Sequence, residues 1–152
     1  MVNAVDIDFI KQAIEVSKNS PAKPTCFRVG AILTDKEYKF IASGYTLEFG
    51  EGWHAEAVAI KKAKDAGINT EGAIIYSSLE PCSVRASGKK DCSALLIEND
   101  IAQVFYALAE PPIFVTGEGN KKLQEAKIKV EKINGFDQAV KDINAHLFEQ
   151  RK

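Results

Sequence analysis

Four residues carry chemistry that belongs together: His54, Glu56, Cys82 and Cys92. One histidine and two cysteines match the donor set of a catalytic zinc, with three protein ligands and a fourth position open for water. Glu56 has the chemistry of a proton carrier beside that water. Two thiolates offset the charge of Zn2+, so such a site can be buried, while the metal acidifies its water toward a pKa of ~7. On a regular helix His54 and Glu56 point about 200° apart and cannot share a face. At a helix's first turn both can lean over its open end, which suits Glu56 as a shuttle rather than a ligand. Taken singly these are ordinary residues: a histidine at a helix start is usually a surface or capping residue, and a free cysteine a small buried hydrophobe. Their joint placement on the expected elements is what points to a site.

Those elements read as follows. Asp6 is expected to cap a first helix with its stripe at Ile7, Phe9, Ile10, Ala13 and Ile14, ended by Asn19-Ser20-Pro21. Phe27 to Leu33 reads as a strand, Asp35-Lys36-Glu37 as a turn and Phe40 to Tyr45 as the second strand of an antiparallel hairpin. Thr46 to Trp53, with Gly50 and Gly52, is a loop. A second helix runs from His54 to about Ala66 and stops at Gly67 as a C′ glycine, with Lys61, Lys62 and Lys64 on its solvated face. Ala73 to Ser77 is a strand covered on both faces. A helix from Cys92 to Asn99 follows, with its N-terminus favouring the Cys92 thiolate. Ile101 to Leu108 is a strand; Pro111-Pro112 and Thr116 to Asn120 are loops. Lys121 to Ala126 is a short helix and Ile128 to Ile133 a fifth strand. After Gly135 comes one last amphipathic helix striped by Phe136, Val140, Ile143 and Leu147. Strands alternating with helices imply parallel crossovers. The fold class is α/β: a three-layer α/β/α sandwich on a mixed five-stranded sheet, with residues 1–152 as a single domain. His54 after a Gly-rich loop and Cys82 after the third strand then meet beyond the strand ends, where ligand sites of such sheets gather.

Composition narrows the function classes. With 45% hydrophobic and 27% charged residues the chain has the make-up of a globular protein. A net charge of -1 and no basic stripe argue against a nucleic-acid partner, and no aromatic platform for single strands is visible. No apolar run approaches the ~20 residues of a membrane span, and Met1 to Ile10 lacks the pattern of a signal peptide. Three cysteines, an odd number, fit a reducing compartment and metal chemistry, so a cytoplasmic location is expected.

The pattern H-x-E followed by Pro-Cys is the signature of zinc nucleobase deaminases. From Phe27-Arg28-Val29-Gly30-Ala31 through His54-Ala55-Glu56 and Leu79-Glu80-Pro81-Cys82, the chain resembles the cytidine-deaminase-like superfamily across nearly its whole length. It departs in one place: nine residues, Ser83 to Asp91, separate Cys82 from the next cysteine where the signature has two. Ser87-Gly88 in that stretch would let it double back to the metal, and Cys92, at a helix start, fits the third-ligand role better than Cys26. Pro81-Cys82-Ser83 with a Gly-containing loop looks like the pyrimidine deaminases of riboflavin biosynthesis. Together with Gly44-Tyr45-Thr46-Leu47-Glu48 it is most similar to their free-standing fungal type. The bacterial type is usually fused to a reductase domain, for which these residues leave no room. Phe27-Arg28 also stands where the bacterial type has Asn-Pro.

That resemblance implies one Zn2+ per chain and hydrolytic deamination of a small-molecule aminopyrimidine. The expected substrate is the diamino-(ribosyl/ribityl)amino-pyrimidinone phosphate intermediate of riboflavin biosynthesis. Cytidine, deoxycytidylate, cytosine and guanine keep the chemistry and change the substrate; a non-catalytic zinc-stabilised module is the alternative outside enzymes. The resemblance also implies ring contacts from the backbone around Ala55 and Cys82, and a homodimer or homotetramer. Arg85, Lys89 and Lys90 are candidates by position and charge for a substrate phosphate, with an ordinary solvated loop as the alternative, and Ser83 is a further candidate substrate contact. Glu48 and Glu51 are candidates for sugar hydroxyls or ring amino groups, and Trp53 either stacks on the ring or packs into the core. His146 is expected at the surface.

Overall fold

The computed structural model describes residues 2–24, 26–81, 92–109 and 123–148. Five strands, β1 (Gly30–Thr34), β2 (Phe40–Tyr45), β3 (Ile74–Leu79), β4 (Gln103–Leu108) and β5 (Lys129–Lys132), form one sheet in the order β2-β1-β3-β4-β5. β1 runs antiparallel to β2 and β3, while β3, β4 and β5 are parallel. This is the expected mixed sheet with a hairpin at one edge.

Alternation along the strands divides the interior into two cores. Ile32, Tyr76 and Phe105 face α1 (Ala4–Ser17) and the C-terminal helices α4 (Asp137–Ile143) and α5 (Ala145–Phe148), among Ile10, Ile14, Val140 and Leu147. Leu33, Ile75 and Val104 face α2 (Ala55–Asp65) and α3 (Cys92–Glu98), among Ala59, Ile60, Ala63 and Leu96. β3 is buried at every position, as its unbroken apolar run requires.

Three expectations are corrected. Asp6 does not cap α1. Asn3 does, accepting from the Asp6 N–H at 3.0 Å while Asp6 Oδ2 accepts from the Asn3 N–H at 3.0 Å, a reciprocal capping box. Buried Asp6 also accepts from the Tyr76 hydroxyl at 2.5 Å, and Tyr76 lies between Phe9 and Phe105 at ring distances of 5.2 and 5.1 Å. Burial first, then the hydrogen bond to Asp6, pushes the Tyr76 phenol well above its ordinary pKa.

β1 begins at Gly30 rather than Phe27, because the backbone of Arg28 is engaged elsewhere. Its N–H donates to Asn144 Oδ1 at 2.6 Å, and its guanidinium donates to the carbonyls of Ser20, Lys18 and Ile143. The expected single last helix divides at Asn144, whose wholly buried amide returns a hydrogen bond to the Arg28 carbonyl. Of the expected helix 121–126, helical turns are described at 123–125; the loops at Pro111-Pro112 and Thr116 to Asn120 lie outside the described residues.

Two glycines set how closely helices approach the sheet. A Cβ on Gly30 would stand 2.0 Å from the Ala13 carbonyl oxygen, so α1 lies directly on β1. A Cβ on Gly44 would stand 2.4 Å from the Ala55 carbonyl oxygen and 2.8 Å from Ala59 N. The first turn of α2 is therefore seated against β2 at a distance only glycine permits.

Candidate metal centre and active site

That first turn carries the site. His54 is the N-cap of α2 in extended backbone, and its side chain makes no capping hydrogen bond. Its ring instead meets α3: His54 Nδ1 lies 3.1 Å from Cys92 Sγ. Cys92 is the first residue of α3 and is buried. Two residues that are 38 positions apart thus meet where two helices begin.

The donor pair fits a zinc ion. Tetrahedral zinc, about 2.05 Å from an imidazole nitrogen and about 2.3 Å from a thiolate, separates those atoms by about 3.6 Å. Opening the observed 3.1 Å contact by about half an ångström admits the metal. The third expected ligand, Cys82, lies outside the described residues, as do Ser83, Arg85, Lys89 and Lys90. Among the described residues no three His, Cys, Asp or Glu side chains gather as a metal site, here or elsewhere.

Glu56 lies on the same first turn and is buried with 3% exposure. Glu80-Pro81, at the end of β3, is also buried, and the Glu80 N–H donates to the Leu108 carbonyl at 2.9 Å. This leaves β3 and β4 ending side by side, just before Cys82 in the chain.

The loop entering the site, residues 46–53, is tightly organised. The Leu47 N–H donates to the Trp53 carbonyl at 2.7 Å, with Leu47 at φ 68, and Gly50 and Gly52 take positive φ as well. Glu48 has both oxygens engaged: Oε1 accepts from the Tyr45 N–H at 3.3 Å, and Oε2 pairs with Lys62 Nζ at 2.6 Å. Glu51 is exposed and pairs with Lys23 at 2.9 Å, which holds its carboxyl below the usual range. Trp53 packs edge-on against Phe49 at 5.2 Å. Ala55 is fully buried. His146, expected at the surface, is half-buried, with Nε2 3.3 Å from the Cys26 carbonyl oxygen.

Lys62 is the residue that charge reading misplaces. It does not belong to the solvated face with Lys61, since its ammonium donates to the Ser43 carbonyl at 2.8 Å and pairs with Glu48. The available signal was helical phase. Lys62 follows Ala55 by seven residues and Val58 by four, which puts it on the buried stripe.

The family model described as the cytidine and deoxycytidylate deaminase zinc-binding region matches residues 4–108. The diaminohydroxyphosphoribosylamino-pyrimidine deaminase of Schizosaccharomyces pombe is 34% identical over 138 residues, 89% of this chain and 34% of that protein. The riboflavin biosynthesis protein RibD of Chlamydia pneumoniae is 32% identical over 146 residues, 93% of this chain and 36% of RibD. The chain therefore spans about a third of the length of the curated relatives it matches. Among solved structures, a Thermotoga maritima diaminohydroxyphosphoribosylaminopyrimidine deaminase/reductase superposes with TM-score 0.77 at 30% identity, covering 91% of this chain and 39% of the other. The Rib2 deaminase of Aspergillus oryzae superposes with TM-score 0.85 over 97% of this chain and 95% of the other; at 23% identity it speaks for the fold alone. With its sheet, its paired helix starts and the match over residues 4–108, the chain belongs to the cytidine and deoxycytidylate deaminase zinc-binding family.

Proposed function

We propose that this chain is a zinc-dependent hydrolytic deaminase of an aminopyrimidine. Its proposed substrate is the diamino-(ribosyl/ribityl)amino-pyrimidinone phosphate intermediate of riboflavin biosynthesis. One observation carries the reaction type: His54 Nδ1 meets Cys92 Sγ at 3.1 Å, with buried Glu56 on the same helical turn. The choice of substrate is supported by relatives at 34% and 32% identity, the first named as a diaminohydroxyphosphoribosylamino-pyrimidine deaminase and the second as a riboflavin biosynthesis protein.

His54, Cys92 and Cys82 would hold one zinc ion, which supplies Lewis-acid activation of a water near neutral pH. The chain's own proton chemistry falls to Glu56. Its carboxylate takes a proton from the attacking water as the oxygen adds to the ring carbon that bears the amino group. It delivers that proton to the adjacent ring nitrogen, then takes the remaining proton from the hydroxyl added to the ring carbon and passes it to the departing amine as the carbonyl forms. Water adds, ammonia leaves and a ring carbonyl remains, so atoms and charge balance. Burial of Glu56 limits proton exchange with bulk solvent during the cycle.

Arg85, Lys89 and Lys90 are proposed to receive the substrate phosphate, Ser83 to contact the substrate, and residues 1–152 to form one deaminase unit. No described helix is long and apolar enough to cross a membrane. Three cysteines, an odd number, support a cytoplasmic setting. The test is ammonia release by purified, zinc-loaded protein across a panel: the riboflavin-pathway phosphate, cytidine, deoxycytidylate, cytosine and guanine. The pathway compound is expected to exceed the others by orders of magnitude in kcat/KM. Preference for any of the others would overturn the substrate assignment.

A further inference from the structure

We propose that Lys62 is a positioning residue that locks the 46–53 loop and, through it, the orientation of Trp53 at the site entrance. The ammonium makes three contacts with this region: Glu48 Oε2 at 2.6 Å, the Ser43 carbonyl at 2.8 Å and the face of Phe49 at 6.0 Å from the ring centre. Lys and Glu side chains here are 33% and 19% exposed, against 42% and 82% for the Lys23–Glu51 pair at the loop's other end. The Lys62 pair is thus the less screened of the two.

The chain of contacts runs to the site without a gap. Glu48, held by Lys62, accepts from the Tyr45 N–H at 3.3 Å and so fixes the start of the loop. Leu47 beside it sits at φ 68, a conformation a branched side chain keeps only where its surroundings impose it. The Leu47 N–H closes the loop on the Trp53 carbonyl at 2.7 Å. Phe49, over the Lys62 ammonium, buttresses the Trp53 ring edge-on at 5.2 Å. Trp53 is joined covalently to His54. A lysine two turns into α2 therefore sets the loop that presents the indole, while His54 is held as the N-cap of α2 itself. If the deaminase reading holds, on which the ring-binding part of this inference rests, Trp53 is the surface on which the pyrimidine stacks.

Trp53 is the only tryptophan of the chain, so its emission reports this loop directly. The variants are K62M, which keeps the stem and removes the ammonium, E48Q, which removes the partner charge, and K61M as the control on the solvated face. In K62M and E48Q the emission of Trp53 is expected to shift to the red and to be quenched more strongly by acrylamide, while K61M matches the parent. With the pathway substrate, KM is expected to rise roughly tenfold, the scale of weakening one ring-stacking contact, while kcat changes by less than about twofold. Zinc content stays at that of the parent. Unchanged emission and quenching in both variants would overturn the positioning role, and so would a change of the same size in K61M. An unchanged KM alongside altered emission would overturn the stacking part. Should the parent protein release no ammonia, the deaminase reading fails, and the fluorescence arm still decides whether Lys62 positions the loop. If K62M loses its cooperative melt, E48Q is read by the same criteria.

Discussion

Gly44→Ala is the sharpest test of how the fold seats the site. The added methyl would stand 2.4 Å from the Ala55 carbonyl oxygen, 2.8 Å from Ala59 N and 2.8 Å from Val58 Cβ. Two of these three neighbours are backbone atoms, which cannot swing aside as a side chain can. Reaching ordinary contact near 3.5 Å requires α2 to retreat by roughly 1 Å at its first turn. Overpacking of this kind costs about 1–3 kcal/mol, which lowers Tm by roughly 2–12 °C at this size. The same retreat moves His54 and Glu56 relative to Cys92, and a misplacement near 1 Å is worth about a hundredfold in rate. Gly67→Ala supplies the comparison: φ is +72 there, but nothing lies within 4 Å of the added methyl. It is expected to cost about 1 kcal/mol in stability through backbone strain and to leave turnover unchanged. Thermal melts, zinc content and ammonia release on both variants decide the matter. Gly44→Ala with parental turnover would refute the claim that the Gly44 contact holds the turn of His54 and Glu56 in place.

Two further predictions follow from the site and the core. Cys92→Ser is expected to lower the zinc content of purified protein well below one per chain while leaving the far-UV spectrum of a folded α/β domain, and full zinc occupancy in that variant would contradict Cys92 as a ligand. Because the folded Tyr76 phenol is held above its ordinary pKa, stability is fully present below pH ~10 and falls as pH rises past it, by up to about 1.4 kcal/mol per pH unit. Tyr76→Phe is expected to flatten that alkaline slope in urea melts; an identical slope in the variant would refute the assignment.

Much of the fold is legible from local signals. β2 keeps its expected limits, Phe40–Tyr45, because turns bound it on both sides. α2 ends where Gly67 takes positive φ, and the α1 stripe at Ile10, Ala13 and Ile14 is buried as its spacing demands. The errors lie where a distant partner decides. The start of β1 depends on an Arg28–Asn144 hydrogen bond spanning 116 residues, and the same asparagine breaks the last helix. Asp6 was legible as a capping residue, but its place in the reciprocal box with Asn3 depends on which of two good cappers lies outside the first turn. The meeting of two helix starts at His54 and Cys92, with Glu56 on the first turn of α2, is legible from residue type and helix starts together. Lys62 is not legible from charge, only from helical phase, because a run of lysines disguises one that points inward.

The central claim is that Glu56 moves the protons of a hydrolytic deamination. Glu56→Gln keeps size and hydrogen-bonding capacity and removes the proton carrier, so ammonia release from the riboflavin-pathway aminopyrimidine phosphate should fall by about 10²–10⁴-fold with fold and zinc content intact. Parental turnover in that folded, zinc-loaded variant would contradict the account.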